Sequence, residues 1–269
     1  MAVVTGASRG VGRGIALGLG EAGATVYVTG RTLSDGDSEY PGSLESTAEA
    51  VSELGGRARV ALCDHTRDPE VEALFRQVLD ESGRLDVLVN SAWGGYERMS
   101  EDGKFTFALP FWKQPWWRWD AMFQAGVRAA YVASALAARS MVRARSGLIV
   151  NVSAFAARMY LGNVAYGVSK AATDKLSFDM AEELREHAVS VVSLYPGIVR
   201  TESVLAAGVF DLSNSESPQF LGRAVAALAT ASDVLARSGQ ALVAAELARE
   251  YGFRDIDGSQ PAPLNLNEL

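Results

Sequence analysis

The chain has 269 residues, 48% of them hydrophobic and 21% charged, enough for a sizeable core in one large α/β domain or two small ones. Its net charge of -7 opposes the basic face that sequence-independent nucleic-acid binding needs, so no nucleic-acid partner is expected. The single cysteine, Cys63, excludes an internal disulfide framework, and the two histidines, His65 and His187, stand outside any ligand-spaced cluster, so no metal is expected. The longest apolar run, 129–138, falls short of the ~18 residues of a membrane span. The chain starts inside its first strand without a basic leader, and a cytoplasmic protein is the default expectation.

In chain order, Val3-Val4-Thr5 reads as a strand and is followed by Gly6-Ala7-Ser8-Arg9-Gly10-Val11-Gly12. A helical pattern with Ile15, Leu19 and Ala22 comes next. Strand, glycine turn and helix are the context of a phosphate-binding loop. Gly6 and Gly12 let the backbone turn tightly and approach a ligand, and the first helical turn offers unpaired N–H groups and a positive dipole end. The spacing G-x-x-x-G-x-G fits a plain glycine-rich turn equally well. Further strands are expected at 24–29, 59–63, 85–89, 148–152 and 190–194. Helices are expected over 43–54 and over 70–81, where Val71, Leu74, Phe75 and Val78 repeat at helical spacing. Apolar strands alternating with helices predict a doubly wound, three-layer α/β sandwich with a mostly parallel sheet of about seven strands, as one domain over 1–269. The glycine loop, Asn90, Ser153 and Pro196 all follow strands, so all are expected to line the crevice at the strands' carboxyl ends.

Tyr166 and Lys170 stand at i and i+4, on one helix face. A free tyrosine titrates at about 10. An ammonium about 4 Å away, at an effective dielectric near 20, stabilises the phenolate by roughly 4 kcal/mol, or about three pKa units. The pair is therefore expected to move a proton near neutral pH, with Ser153 hydrogen-bonding a substrate oxygen. A lone Tyr-x-x-x-Lys describes a surface helix pair as well; the co-located glycine loop and Ser153 favour chemistry.

With the glycine loop, Asn90-Ser91-Ala92, Ser153, Tyr166-x-x-x-Lys170 and Pro196-Gly197-Ile198-Val199-Arg200-Thr201 in this order over about 1–201, the chain resembles the short-chain dehydrogenases/reductases of the NAD(P)-dependent type. The tail over 247–255 resembles one branch of that family. The resemblance implies a Rossmann-like fold and hydride transfer between a nicotinamide and a small carbonyl or alcohol substrate. It makes Tyr166 the general acid of reduction, Lys170 the group that tunes it and holds the nicotinamide ribose, and Ser153 the group that positions the carbonyl. Cofactor contacts are implied for Gly6, Ser8, Arg9, Gly10, Val11 and Gly12 in the loop. Others are implied for Asp64 at the adenine, for Asn90 and Ala92, and for Pro196, Gly197, Val199 and Thr201 around the nicotinamide. A homodimer or homotetramer is implied, through helices around 120–143 and 163–187.

Two positions depart from the family pattern. Trp93 stands where a glycine is common, and Gly126 stands where an asparagine usually supports a proton-relay water near the lysine. They motivate a second reading, an NADP(H)-binding sensor or interaction protein with little turnover. The second strand ends at Gly30-Arg31, without the acidic residue expected of an NAD site. Arg31, and Arg9 as a second candidate, can pair with a 2′-phosphate, so NADP(H) is expected in preference to NAD(H).

All five tryptophans lie between Trp93 and Trp119, among Tyr96, Phe105, Phe107, Phe111 and Phe123. This insertion, near 93–119, reads as a packing clasp, a lipophilic or aromatic substrate pocket, or a subunit interface. The segment near 202–222 reads as a substrate loop by resemblance, or as a plain surface loop. His65 is expected to be a loop residue and Cys63 a small buried apolar one.

Overall fold

The computed structural model describes residues 1–96, 98–101 and 104–264. Residues 97, 102 and 103 of the aromatic insertion, and 265–269 of the expected domain, lie outside the described residues. The main elements are β1 (Ala2–Thr5), α1 (Gly10–Glu21), β2 (Thr25–Gly30), α2 (Leu44–Glu53), β3 (Arg57–Leu62), α3 (Asp68–Ser82) and β4 (Val87–Asn90). After the insertion come α4 (Trp116–Met122), a π-helical turn (Phe123–Arg128) and α5 (Ala129–Ala144), then β5 (Gly147–Val152), α6 (Val164–Leu184) and β6 (Val189–Tyr195). A short α7 (Glu202–Ala207), α8 (Pro218–Thr230), β7 (Ala241–Val243) and α9 (Ala244–Tyr251) follow.

The seven strands pair in parallel in the order β7-β6-β5-β4-β1-β2-β3. The strand order reverses between β1 and β4, which makes the crevice where doubly wound sheets bind ligands. Side chains on a strand alternate between faces, so Ala2 and Val4 enter one core and Val3 the other. The first core is closed by Ile15 and Leu19 of α1, Val51 of α2 and Phe220, Leu221 and Val225 of α8. The second is closed by Val71, Leu74 and Phe75 of α3, Met141 of α5 and Leu184 of α6. The fold is thus the expected Rossmann-like three-layer sandwich. Its seventh strand, three residues long, is too short to carry a legible pattern.

Element ends follow local chemistry. Ser43 begins α2 with a reciprocal cap, its side chain accepting from Ser46 N at 3.1 Å. Asn163 begins α6 by accepting from Tyr166 N at 2.9 Å. α1 and α8 approach so closely that a Cβ at Gly18 would fall 2.5 Å from the Gly222 carbonyl carbon. No helix among the described residues is long and apolar enough to cross a membrane.

Candidate active site

The glycine loop closes on itself. Gly6 is left-handed (φ +66°), and a Cβ at Gly12 would lie 2.2 Å from the Gly6 carbonyl oxygen. Beneath it, Thr5 Oγ1 accepts from both Ser91 N and Ala92 N at 3.0 Å, tying the loop to the end of β4. The residue before α1, Arg9, makes no side-chain cap. The Gly10 N–H is donated instead to the Glu202 carboxylate, at 3.0 Å, from the start of α7. The loop therefore already holds an anion, supplied by the chain itself, as expected of a helix N-terminus.

Arg9 turns toward the 32–42 segment, donating to Pro41 O at 2.9 Å, Thr32 Oγ1 at 3.0 Å and Gly42 O at 3.1 Å. Arg31 is exposed just past β2. Asp64, just past β3, accepts from Thr66 N at 2.9 Å and Thr66 Oγ1 at 2.7 Å. Burial pushes its carboxyl up, but those bonds and nearby Arg31 outweigh it and hold the group below the usual value. His65 is a buried loop residue with Nε2 2.7 Å from Thr29 Oγ1, and burial takes its pKa down to about 4. Cys63 is fully buried.

Past β4, Asn90 donates to Ser134 Oγ at 2.9 Å and Asn151 Oδ1 at 2.8 Å, and Asn151 donates to Ser177 Oγ at 2.8 Å. This buried polar ladder locks β4 and β5 to α5 and α6. Ser153, just past β5, is buried and donates to the Lys170 carbonyl at 3.4 Å. After β6, Gly197 N donates to Glu216 Oε2 at 2.9 Å, and burial raises the Glu216 carboxyl to about 7. Val199 is buried, and Thr201 caps α7 by accepting from Val204 N at 3.3 Å.

Tyr166 and Lys170 share one face of α6, but their polar ends point to different partners. Lys170 is 7% exposed; its Nζ donates to Val152 O at 3.1 Å and sits 3.9 Å from the centre of the Trp93 ring. Burial pushes this ammonium down to about 7 against the pull of Asp174, while the indole face favours the charged form. The Tyr166 hydroxyl accepts instead from the Tyr96 hydroxyl at 3.0 Å. Burial raises the Tyr166 pKa, and the Tyr96 bond opposes this only in part. The expected lowering by a lysine about 4 Å away is therefore corrected. The ammonium is turned to a carbonyl and an indole, and desolvation governs the phenol.

Trp93 and Gly126 meet. A Cβ at Gly126 would fall 2.6 Å from Trp93 Cζ3 and 2.7 Å from Cε3. The indole thus fills the space beside the π-turn that a side chain at position 126 would enter. Around Tyr166, the rings of Trp93, Tyr96 and Phe107 stand with centroids 5.9, 5.9 and 6.0 Å away. Part of the aromatic insertion therefore lines the site. What clasps the insertion is polar: Arg118, 1% exposed, donates to Thr106 O at 2.9 Å, Arg98 O at 3.0 Å and Thr106 Oγ1 at 2.9 Å. Asn163 also donates to Phe107 O at 2.7 Å, joining the insertion to the helix of Tyr166. Phe111, Trp112 and Trp116 face outward, Trp116 being 89% exposed.

Sequence reasoning did not single out Tyr96, Arg118, Asn163 or Glu216 as site residues. Asn163, an N-cap type three residues before Tyr166, carried a readable signal. The other three act over distances that no local pattern reports.

A dinucleotide-type glycine loop, a Tyr-x-x-x-Lys helix and a serine after the fifth strand define an oxidoreductase of the short-chain type, and the chain belongs to the short chain dehydrogenase family, whose model matches residues 1–208. The chain is 45% identical to dehydrogenase/reductase SDR family member 1 of Mus musculus, over 95% of this chain and 83% of that protein. It is 31% identical to a metagenomic short-chain oxidoreductase solved in complex with NADP, with a TM-score of 0.70, covering 90% of this chain and 94% of that one. A short chain dehydrogenase homologue of Mycobacterium thermoresistibile shares the fold at a TM-score of 0.79 and 22% identity, covering 97% of this chain and 90% of that one. The family binds nicotinamide cofactors, and the loop's geometry fits one. A Cβ at Gly6 would meet Ala92 Cα at 2.8 Å and one at Gly12 the Gly6 carbonyl oxygen at 2.2 Å, so only glycines let the turn close this tightly, and its helix end takes an anionic oxygen.

Proposed function

We propose that this protein is an NADP(H)-dependent oxidoreductase that interconverts a lipophilic or aromatic carbonyl compound and its alcohol, with Tyr166 as general acid/base. The observation that carries the reading is the meeting of Tyr166 with Trp93, Tyr96 and Phe107. A protic group on an apolar wall suits a flat carbonyl substrate. The residues that would hold the cofactor are the loop from Gly6 to Gly12, Asp64, Asn90 and Ala92. Lys170 and the 196–201 turn with Pro196, Gly197, Val199 and Thr201 complete the set. When bound, the nicotinamide supplies the hydride equivalent. Tyr166, kept protonated at neutral pH by its raised pKa, donates its proton to the carbonyl oxygen. Ser153 orients that oxygen, and Lys170, its pKa lowered to about 7 by burial, supplies a neighbouring positive charge in its protonated form.

The test is NADPH oxidation over a panel of aryl ketones, quinones and steroid ketones, with Tyr166→Phe alongside. The expected result is turnover of at least one member, and its near loss in Tyr166→Phe with NADPH binding retained; turnover preserved in the variant refutes the role. The preference for NADP(H) rests on Arg31, with Arg9 as a second contact. Arg31→Asp is expected to weaken NADPH binding and spare NADH. By family likeness the working form is a homodimer or homotetramer, which light scattering decides. The alternative, an NADP(H) sensor with little turnover, is favoured by one observation, the Tyr96 hydroxyl already seated on Tyr166. Tight NADPH binding with no turnover across the panel would establish it.

A further inference from the structure

We propose that Tyr96 is the proton relay of this site, returning a proton from solvent to Tyr166 after each reduction. The inference rests on the reading of Tyr166 as the acid. The Tyr96 hydroxyl donates to the Tyr166 oxygen at 3.0 Å, so the two phenols are already in line for transfer. Tyr96 as a residue is 45% exposed, on the insertion side; desolvation of its hydroxyl, together with neighbouring Tyr166, raises its pKa well above the usual phenol value and keeps the relay proton on Tyr96 between turnovers. The opposite side is filled. The Lys170 ammonium is committed to Val152 O and the Trp93 ring, and the indole presses on Gly126 so closely that even a Cβ would not fit. A bridging water needs a free volume of roughly 10–15 Å³ and two or more polar partners. At the Gly126 Cβ position, 2.6 Å from Trp93 Cζ3, that volume is taken by the indole.

The arrangement is compatible with catalysis because a phenol donates one hydrogen bond and accepts two. Tyr166 can therefore give its proton to a carbonyl oxygen while still accepting from Tyr96. In the first step the Tyr166 O–H bond breaks and the proton forms an O–H bond on the substrate oxygen, leaving Tyr166 as phenolate. In the second, the Tyr96 O–H bond breaks and its proton goes to Tyr166. In the third, Tyr96 takes a proton from water or a buffer acid. The rings of Trp93 and Phe107, each with its centroid 6.0 Å from that of Tyr96, hold the relay in register.

Tyr96→Phe removes the hydroxyl and keeps the ring. The experiment is stopped-flow and steady-state NADPH oxidation with the best aryl ketone of the panel, for the unaltered protein, Tyr96→Phe and Tyr166→Phe. The relay predicts that Tyr96→Phe gives a first turnover at close to the normal rate, a burst of one NADPH per site, followed by turnovers slowed about tenfold or more. Added imidazole should restore those later turnovers in proportion to its concentration while leaving the unaltered protein unchanged. A loss of packing would slow the first turnover as well and would not respond to imidazole. Later turnovers within twofold of normal in Tyr96→Phe, or a loss without burst or rescue, overturn the relay; an inactive Tyr166→Phe then leaves the acid assignment standing. Activity persisting in Tyr166→Phe, or no turnover of any panel member, overturns both.

Discussion

The indole of Trp93 lies flush against Gly126: a Cβ there would meet Cζ3 at 2.6 Å and Cε3 at 2.7 Å. The two positions expected to depart from the family pattern therefore stand against each other, a large side chain beside none. A large side chain at the end of β4 fills what a missing side chain in the π-turn vacates. The consequence reaches Lys170, whose ammonium faces the indole at 3.9 Å.

Gly126→Ala tests this exchange. In a helix, alanine ordinarily gains about 1 kcal/mol over glycine. Here the new methyl meets a rigid ring, and overpacking of this kind costs about 1–3 kcal/mol. The expected result is net destabilisation in urea unfolding. Trp93→Phe/Gly126→Ala should recover most of it, with a coupling of about 1 kcal/mol or more in the double-mutant cycle. Additive effects would mean that the indole and the new methyl do not meet.

Glu202 occupies the helix end at which a dinucleotide diphosphate would dock, accepting from Gly10 N at 3.0 Å. An anion at a helix N-terminus is stabilised by about 0.3–1 kcal/mol, which a docking diphosphate must displace. Glu202→Gln is expected to tighten NADPH binding by up to about fivefold in a fluorescence titration. Weaker binding in the variant would assign Glu202 to the cofactor's support.

Lys170 gives stability a pH dependence. Its pKa falls from the ordinary 10.5 to about 7 on folding. Below about 7 the folded protein carries a buried charge at full cost. Between about 7 and 10.5 the folded form sheds the proton that the unfolded chain keeps, so stability rises with pH. Lys170→Met should accordingly raise Tm most near pH 6 and progressively less toward pH 9. The ceiling is ~5 kcal/mol, reduced by the lost bond to Val152 O and the lost indole contact. A Tm difference that grows with pH would contradict this.

Arg118 holds the aromatic insertion through backbone carbonyls at 98 and 106 and through Gln114. Arg118→Ala strips several part-buried acceptors of their donor, at about 0.5–1.5 kcal/mol for each hydrogen bond lost, since water reaches the groups left behind. Hydrogen exchange should show lost protection over 104–118, with α6 and the sheet unchanged. Uniform loss across the chain would mean the insertion is part of the global core.

Much was legible before any fold was seen, because the signals are local. The apolar runs of β1, β2, β4, β5 and β6 and the period of α3 report burial through spacing alone. The glycines at 6 and 12 report a turn that side chains would block. Tyr166 and Lys170 share a face simply because they lie four residues apart on a helix. What tertiary structure alone decided is where their polar ends go, and through which neighbours. Tyr96 reaches Tyr166 across 70 residues and Glu202 reaches Gly10 across 192. Trp93 finds Gly126 only when β4 and the π-turn converge. Arg118, a charge that composition places at the surface, is buried because a loop's carbonyls close around it. The pKa expected of Tyr166 missed for the same reason: helical spacing fixes which residues are neighbours, but desolvation and hydrogen-bond direction depend on every element packed around them.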